Sequence, residues 1–237
     1  TRSDGTLDVT RMSALVDQVA ELYKAGIEVI LVSSGAVASG RSEIKPSKKL
    51  DSVDQRQLFS AVGQAKLINR YYELFRDHGI AVGQVLTMKE NFSTRQHYLN
   101  QRNCMMVMLE NGVIPIVNEN DTVAVEELDH QTKFGDNDQL SAIVAKVIDA
   151  DMLVMLSDID GFYDQNPTNN PEATLYHTIS DVTDDVMAKA GGEGSSFGTG
   201  GMITKLKAAH YLLKHNREMV LAKAEDPTII FNILEGH

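Results

Sequence analysis

Two rhythms of apolar residues alternate along the chain. Met12, Leu15, Val16, Val19 and Leu22 keep helical spacing, Gly26 closes the run, and 27–32 reads as a buried strand. The unit then recurs. Leu58, Val62, Ala65, Ile68 and Tyr72 share one helical face, Gly79 ends it, and 80–86 is the next strand. A third helix from about 93 to 111 closes at Gly112 and feeds a strand over 113–117. A helix over 139–149 precedes a strand over 152–156, and a helix over 202–215 precedes one over 219–222. Five apolar strands alternating with helices predict an α/β fold, with a mostly parallel sheet sandwiched between helices. In such sheets ligands gather at the carboxyl ends of the strands.

Those ends are polar. The first strand runs into Ser33-Ser34-Gly35-Ala36, whose small side chains allow close approach to a ligand at a helix start. The third runs into Asn118-Glu119-Asn120-Asp121, and the fourth into Ser157-Asp158-Ile159-Asp160-Gly161. Single Asn and Asp residues in such places are usually turn formers, but three polar ends on one sheet edge point to a site. The loop 122–134 carries Glu126, Glu127, Asp129 and His130 without a period. It leads into Gly135-Asp136-Asn137-Asp138, where Asp138 is either a helix N-cap or a catalytic carboxylate. The loop 164–171 has no evident charge to use, and Asp181, Asp184 and Asp185 read as a solvated face.

The segment Phe197-Gly198-Thr199-Gly200-Gly201-Met202-Ile203-Thr204-Lys205 concentrates glycine and threonine before a lysine, at the point where a helical pattern begins. Glycines bring backbone N–H groups close to an anion, a helix start adds unpaired donors, and lysine adds a full charge. The segment reads as a polyphosphate grip. It is not a Walker loop, since the required Gly-Lys-Ser/Thr is absent.

Composition narrows the partners. With 237 residues, 43% of them hydrophobic, the chain can bury one large α/β core. A net charge of -11 opposes nucleic acid as a partner, because phosphate backbones require clustered Lys and Arg. A single cysteine, Cys104, excludes an internal disulfide and reads as a core residue in a reducing compartment. No apolar run reaches membrane-spanning length, so a cytoplasmic protein without a membrane partner is expected. The histidines are scattered, which leaves no metal-ligand spacing, and Ser34-Gly35-Ala36 lacks the frame of a hydrolase nucleophile elbow. Carboxylates, a lysine and a glycine loop suit phosphoryl transfer, with magnesium arriving on the nucleotide.

Taken in order, Val32-Ser33-Ser34-Gly35-Ala36, Val117-Asn118-Glu119-Asn120-Asp121, Phe134-Gly135-Asp136-Asn137-Asp138, Ser157-Asp158-Ile159-Asp160-Gly161-Phe162-Tyr163 and Gly198-Thr199-Gly200-Gly201-Met202-Ile203-Thr204-Lys205 resemble the signature of the amino acid kinase family. Within that family they look like the members that phosphorylate the side-chain carboxylate of L-glutamate, the first step of proline synthesis. The resemblance implies that Ser34, Asp121 and Asn137 bind glutamate. It implies that Ser157 and Asp158 line the nucleotide pocket and that Thr199, Gly200, Gly201, Met202, Ile203, Thr204 and Lys205 hold the phosphates of ATP, carried with Mg2+. Asp138 and Lys205 would be catalytic, with Asp138 orienting lysine ammonium groups.

A single kinase domain over 1–237 follows, with the substrate side in about 1–140, the nucleotide side in about 141–237, and no appended C-terminal domain. A homo-oligomer inhibited by proline is implied as well. The family's first strand carries a Lys-x-Gly-Ser/Thr element that this sequence lacks, so a missing first strand is expected before Thr1. The alternatives are a member acting on N-acetylglutamate, aspartate, carbamate or uridine monophosphate, or a non-catalytic amino-acid sensor.

Overall fold

The computed structural model describes residues 6–123, 137–165, 167, 170–190 and 201–236. Contacts within the chain group it into two units, Thr1–Asn137 and Asp138–His237.

In the first unit, Asp8 caps helix α1 (Val9–Lys24) by accepting from the Arg11 N–H. α1 turns Met12, Val16, Val19, Ala20 and Leu22 inward and ends at Gly26, whose φ of 84° suits the left-handed cap. Strand β1 (Leu31–Val32) is shorter than the expected 27–32. The Ile27 N–H is spent on the Leu22 carbonyl in closing α1, and pairing with β3 begins only at Leu31. Helix α2 (Ala36–Glu43) starts from Gly35, and helix α3 (Ser52–Asp77) from Asp51, which accepts from the Asp54 N–H. Strand β2 (Ala81–Thr87), helix α4 (Arg95–Glu110) and strand β3 (Val113–Glu119) complete the unit, with Gly79 and Gly112 closing α3 and α4 as expected.

The sheet runs β1-β3-β2, all parallel, with Leu31 opposite Ile116 and Ala81 opposite Val113. Ile114 and Ile116 enter one core with Val16 and Val19 of α1 and Leu67, Tyr71 and Phe75 of α3. The alternate positions Gly83 and Pro115 point to the opposite face, where Met108 of α4 lies against Gly83. Helices therefore cover both faces. Cys104 is exposed, which corrects the core assignment: Met105, one residue on, is the position α4 buries. A step of one residue turns a helix by about 100°, enough to move a side chain off the buried stripe.

The second unit holds helix α5 (Asn137–Val147) from its second residue on, strands β4 (Met152–Ser157), β5 (Phe162–Tyr163) and β6 (Leu175–Tyr176), helices α6 (Asp184–Ala190) and α7 (Gly201–Leu213), strand β7 (Glu218–Lys223) and helix α8 (Ile229–Leu234). β4 and β7 pair in parallel from Met152↔Glu218 to Ser157↔Lys223, and β5 and β6 form an antiparallel pair. Ala142, Ala145, Met155, Ala208 and Leu212 make one core cluster, while Phe162, Val182, Ala190 and Leu206 make another. The five expected strands thus form two parallel sheets, three strands in the first unit and two in the second. No helix among the described residues is long and apolar enough to cross a membrane.

Candidate active site

In the second unit, Asp138 sits in the first turn of α5, beyond the N-cap position that was the alternative for it. One of its oxygens, Oδ2, accepts from Lys205 Nζ at 2.9 Å and lies 2.9 Å from Thr204 Oγ1. Lys205 and Thr204 belong to the first turns of α7, and both also reach back to the Gly201 carbonyl, at 3.4 and 2.9 Å. The Lys205 and Asp138 side chains are 14% and 16% exposed, so their attraction is screened far less than that of a surface pair. An ammonium held by a carboxylate on one side, beside the donors of a helix start, can face an oxyanion on its other side.

Met202 and Ile203 pack their partly buried side chains against the cluster around Phe162 and Leu206. Ser157, at the end of β4, donates to Asp158 Oδ1 at 3.0 Å and accepts from the Ala224 N–H. Thr199 and Gly200 lie outside the described residues, as do Glu126, Glu127, Asp129, His130 and Asp136 of the long loop.

In the first unit, Ser34 is exposed between β1 and α2, while its neighbour Ser33 is buried with Oγ 2.8 Å from the Tyr71 hydroxyl. Burial raises the Tyr71 phenol above its ordinary range, and the Ser33 bond acts in the opposite direction. Gly35 follows with φ 108°, a conformation that any side chain would strain. Asp121 lies in the turn after β3, where Arg56 of α3 grips its Oδ1 with Nε at 2.9 Å and Nη2 at 2.5 Å. The same Nη2 lies 3.2 Å from Glu119 Oε2. Next along α3, Gln57 donates to the Thr122 carbonyl at 2.9 Å. Below this turn, Asn118 donates to Gln64 in the buried interior.

A cavity of about 300 Å³ opens beside Asp121, lined also by Ser60, Gln64, Gln84, Leu86 and Glu119. A larger one of about 480 Å³ is lined by residues that include Arg41, Lys48, Lys49 and Phe59 and none of the anticipated carboxylates. Asn137 is the first residue of α5, adjacent to Asp138. Sequence reasoning missed Arg56. No local signal marked it, since Arg56 is the fifth residue of α3, past the first turn where the helix dipole disfavours positive charge.

Comparison with known proteins supplies the context for this arrangement. The chain is 61% identical over 237 residues to glutamate 5-kinase of Bacteroides thetaiotaomicron, covering 99% of this chain and 63% of that protein. It is 46% identical over 233 residues to glutamate 5-kinase of Listeria innocua (98% of this chain, 84% of that protein) and 47% identical to that of Enterococcus faecalis (98% and 86%). The chain thus spans less than two thirds of the Bacteroides protein and most of the other two. Among solved structures, an isopentenyl phosphate kinase substrate complex matches with a TM-score of 0.60 over 98% of this chain and 89% of that one, a likeness of fold at 18% identity. Residues 3–223 match the amino acid kinase family across both units, and the chain belongs to that family.

Proposed function

We propose that the chain transfers the γ-phosphoryl group of ATP to the side-chain carboxylate of L-glutamate, giving L-glutamyl 5-phosphate for proline synthesis in the cytoplasm. The observation that carries this reading is the Lys205–Asp138 pair, supported by the identity to glutamate 5-kinases. The glutamate carboxylate is ionised at neutral pH, with a reference pKa near 4.3, so no general base is needed. Its oxygen attacks the γ-phosphorus, the bond to the bridging oxygen breaks, and the electron pair leaves on ADP. The obstacle is repulsion between two anions, and Lys205 is the cation placed to reduce it. Asp138 and Thr204 fix where that ammonium points.

The second unit carries the nucleotide side in this proposal: the 199–205 segment on the phosphates, with Ser157 and Asp158 lining the pocket. Magnesium bound to ATP would neutralise phosphate oxygens, adding to the charge that Lys205 supplies. The first unit carries the acceptor side, where Ser34 and Asn137 contact glutamate and Asp121 meets its α-ammonium. The cavity beside Asp121 supports that placement. A homo-oligomer with proline competing for the glutamate site completes the proposal.

The test is ADP release by the protein with MgATP and each acceptor in turn. Turnover should depend on L-glutamate. Equal or faster turnover with N-acetylglutamate, aspartate or uridine monophosphate would replace the acceptor, and glutamate binding without ADP release would make the chain a sensor.

A further inference from the structure

We propose that Arg56 is a positioning residue for acceptor selection: its guanidinium grips Asp121 by Oδ1 alone, so that Asp121 Oδ2 is presented to the α-ammonium of glutamate. The inference rests on the assignment of Asp121 to that ammonium.

An arginine facing a carboxylate commonly forms two parallel bonds, one to each oxygen. Here Nε and Nη2 converge on the same oxygen, at 2.9 and 2.5 Å, and Nη2 is shared with Glu119 at 3.2 Å. Oδ2 of Asp121 stays outside the fork. The carboxylates are each 12% exposed and Arg56 is 28% exposed, so the attraction between Arg56 and Asp121 is screened less than that of a surface pair.

The grip is anchored in the backbone as well. Gln57 holds the Thr122 carbonyl of the same turn, and α3 itself is locked where Gly63 lies against the Ala36 carbonyl of α2. Consecutive residues of one rigid helix therefore fix both the side chain and the main chain of the 119–122 turn. Loss of Arg56 removes the two donors that hold Asp121 Oδ1, and Asp121 turns away from its bearing.

The experiment compares L-glutamate with glutarate, the same diacid without the amino group, taking the Ki of glutarate as a competitive inhibitor over the KM of glutamate as the measure of ammonium recognition. Arg56→Gln should raise the glutamate KM about 10-fold and lower that ratio by a similar factor, with the ATP KM within about twofold, as loss of one charge-assisted contact implies. Arg56→Lys keeps the charge without the fork and should fall between the two, which preserves the test if the Gln variant does not fold. An equal loss for glutamate and glutarate, or a parallel rise in the ATP KM, would mean that Arg56 serves the fold only. Asp121→Asn separates the two assignments. Lost selectivity in Asp121→Asn with none lost at Arg56 overturns the role of Arg56 alone, whereas unchanged selectivity in Asp121→Asn removes the ammonium assignment beneath it.

Discussion

Lys205 Nζ and Thr204 Oγ1 meet the same oxygen of Asp138, each at 2.9 Å, so one carboxylate atom organises two adjacent side chains of α7. If Lys205 neutralises the moving phosphoryl group, its removal acts on the transition state more than on bound ATP. Lys205→Ala is expected to cut kcat by about 10² to 10³-fold, or about 2.7 to 4 kcal/mol, in steady-state ADP release. Near-normal kcat with only a raised ATP KM would show uniform binding instead. Arginine should rescue poorly, because a planar fork cannot take the place of a compact ammonium.

Asp121→Ala is expected to raise the glutamate KM by about 10 to 100-fold while ATP binding changes little, the size of a lost charge-assisted contact. Glutamate titrations at saturating MgATP and ATP titrations at saturating glutamate measure the two arms. A matching fall in ATP affinity would make Asp121 a structural turn residue.

The buried Tyr71 ties stability to alkaline pH. Its phenol is held above the ordinary value of 10.0, so the folded state binds that proton more tightly than the unfolded state does. The contribution is complete below about pH 10 and is lost as the pH rises through the folded value. Denaturant midpoints measured from pH 8 to 11.5 should fall above about pH 10, and less steeply for Tyr71→Phe. An identical slope in the variant would remove Tyr71 as the source.

Gly63 packs backbone against backbone. A Cβ there would lie 1.7 Å from the Ala36 carbonyl oxygen and 2.4 Å from the Gly40 nitrogen, neither of which can rotate away. Gly63→Ala is expected to destabilise the first unit by about 1 to 3 kcal/mol, or to prevent folding, in urea titrations. Gly79→Ala, with open space around its Cβ but φ 73°, should cost only backbone strain of about 1 kcal/mol.

The helix-then-strand rhythm was legible because apolar spacing and capping glycines are local signals, and Gly26, Gly79 and Gly112 all close helices with positive φ. β1 was overdrawn since apolar content cannot reveal that the Ile27 N–H goes back to the preceding helix. The two-residue strands β5 and β6 escaped notice because a pair so short leaves no periodicity to read. At the candidate site, Asp138, Thr204 and Lys205 could be picked out from their motifs, and the structure brings their side chains together. Arg56 could not be paired in advance, since 65 residues separate it from Asp121 and only the tertiary path of α3 joins them.

The crossing of α2 and α3 at Gly40 and Gly63 has a mechanical consequence. With main chain against main chain, there is no layer of side chains to act as a cushion, and interiors packed to this density transmit displacement instead of absorbing it. The Ser33–Gly35 bend enters one of these helices, and the 119–122 turn is tethered to the other, so the two loops share a stiff gauge of fixed span. If Ser34 and Asp121 hold the acceptor as proposed, an acceptor one methylene shorter or longer would meet a jig that does not stretch.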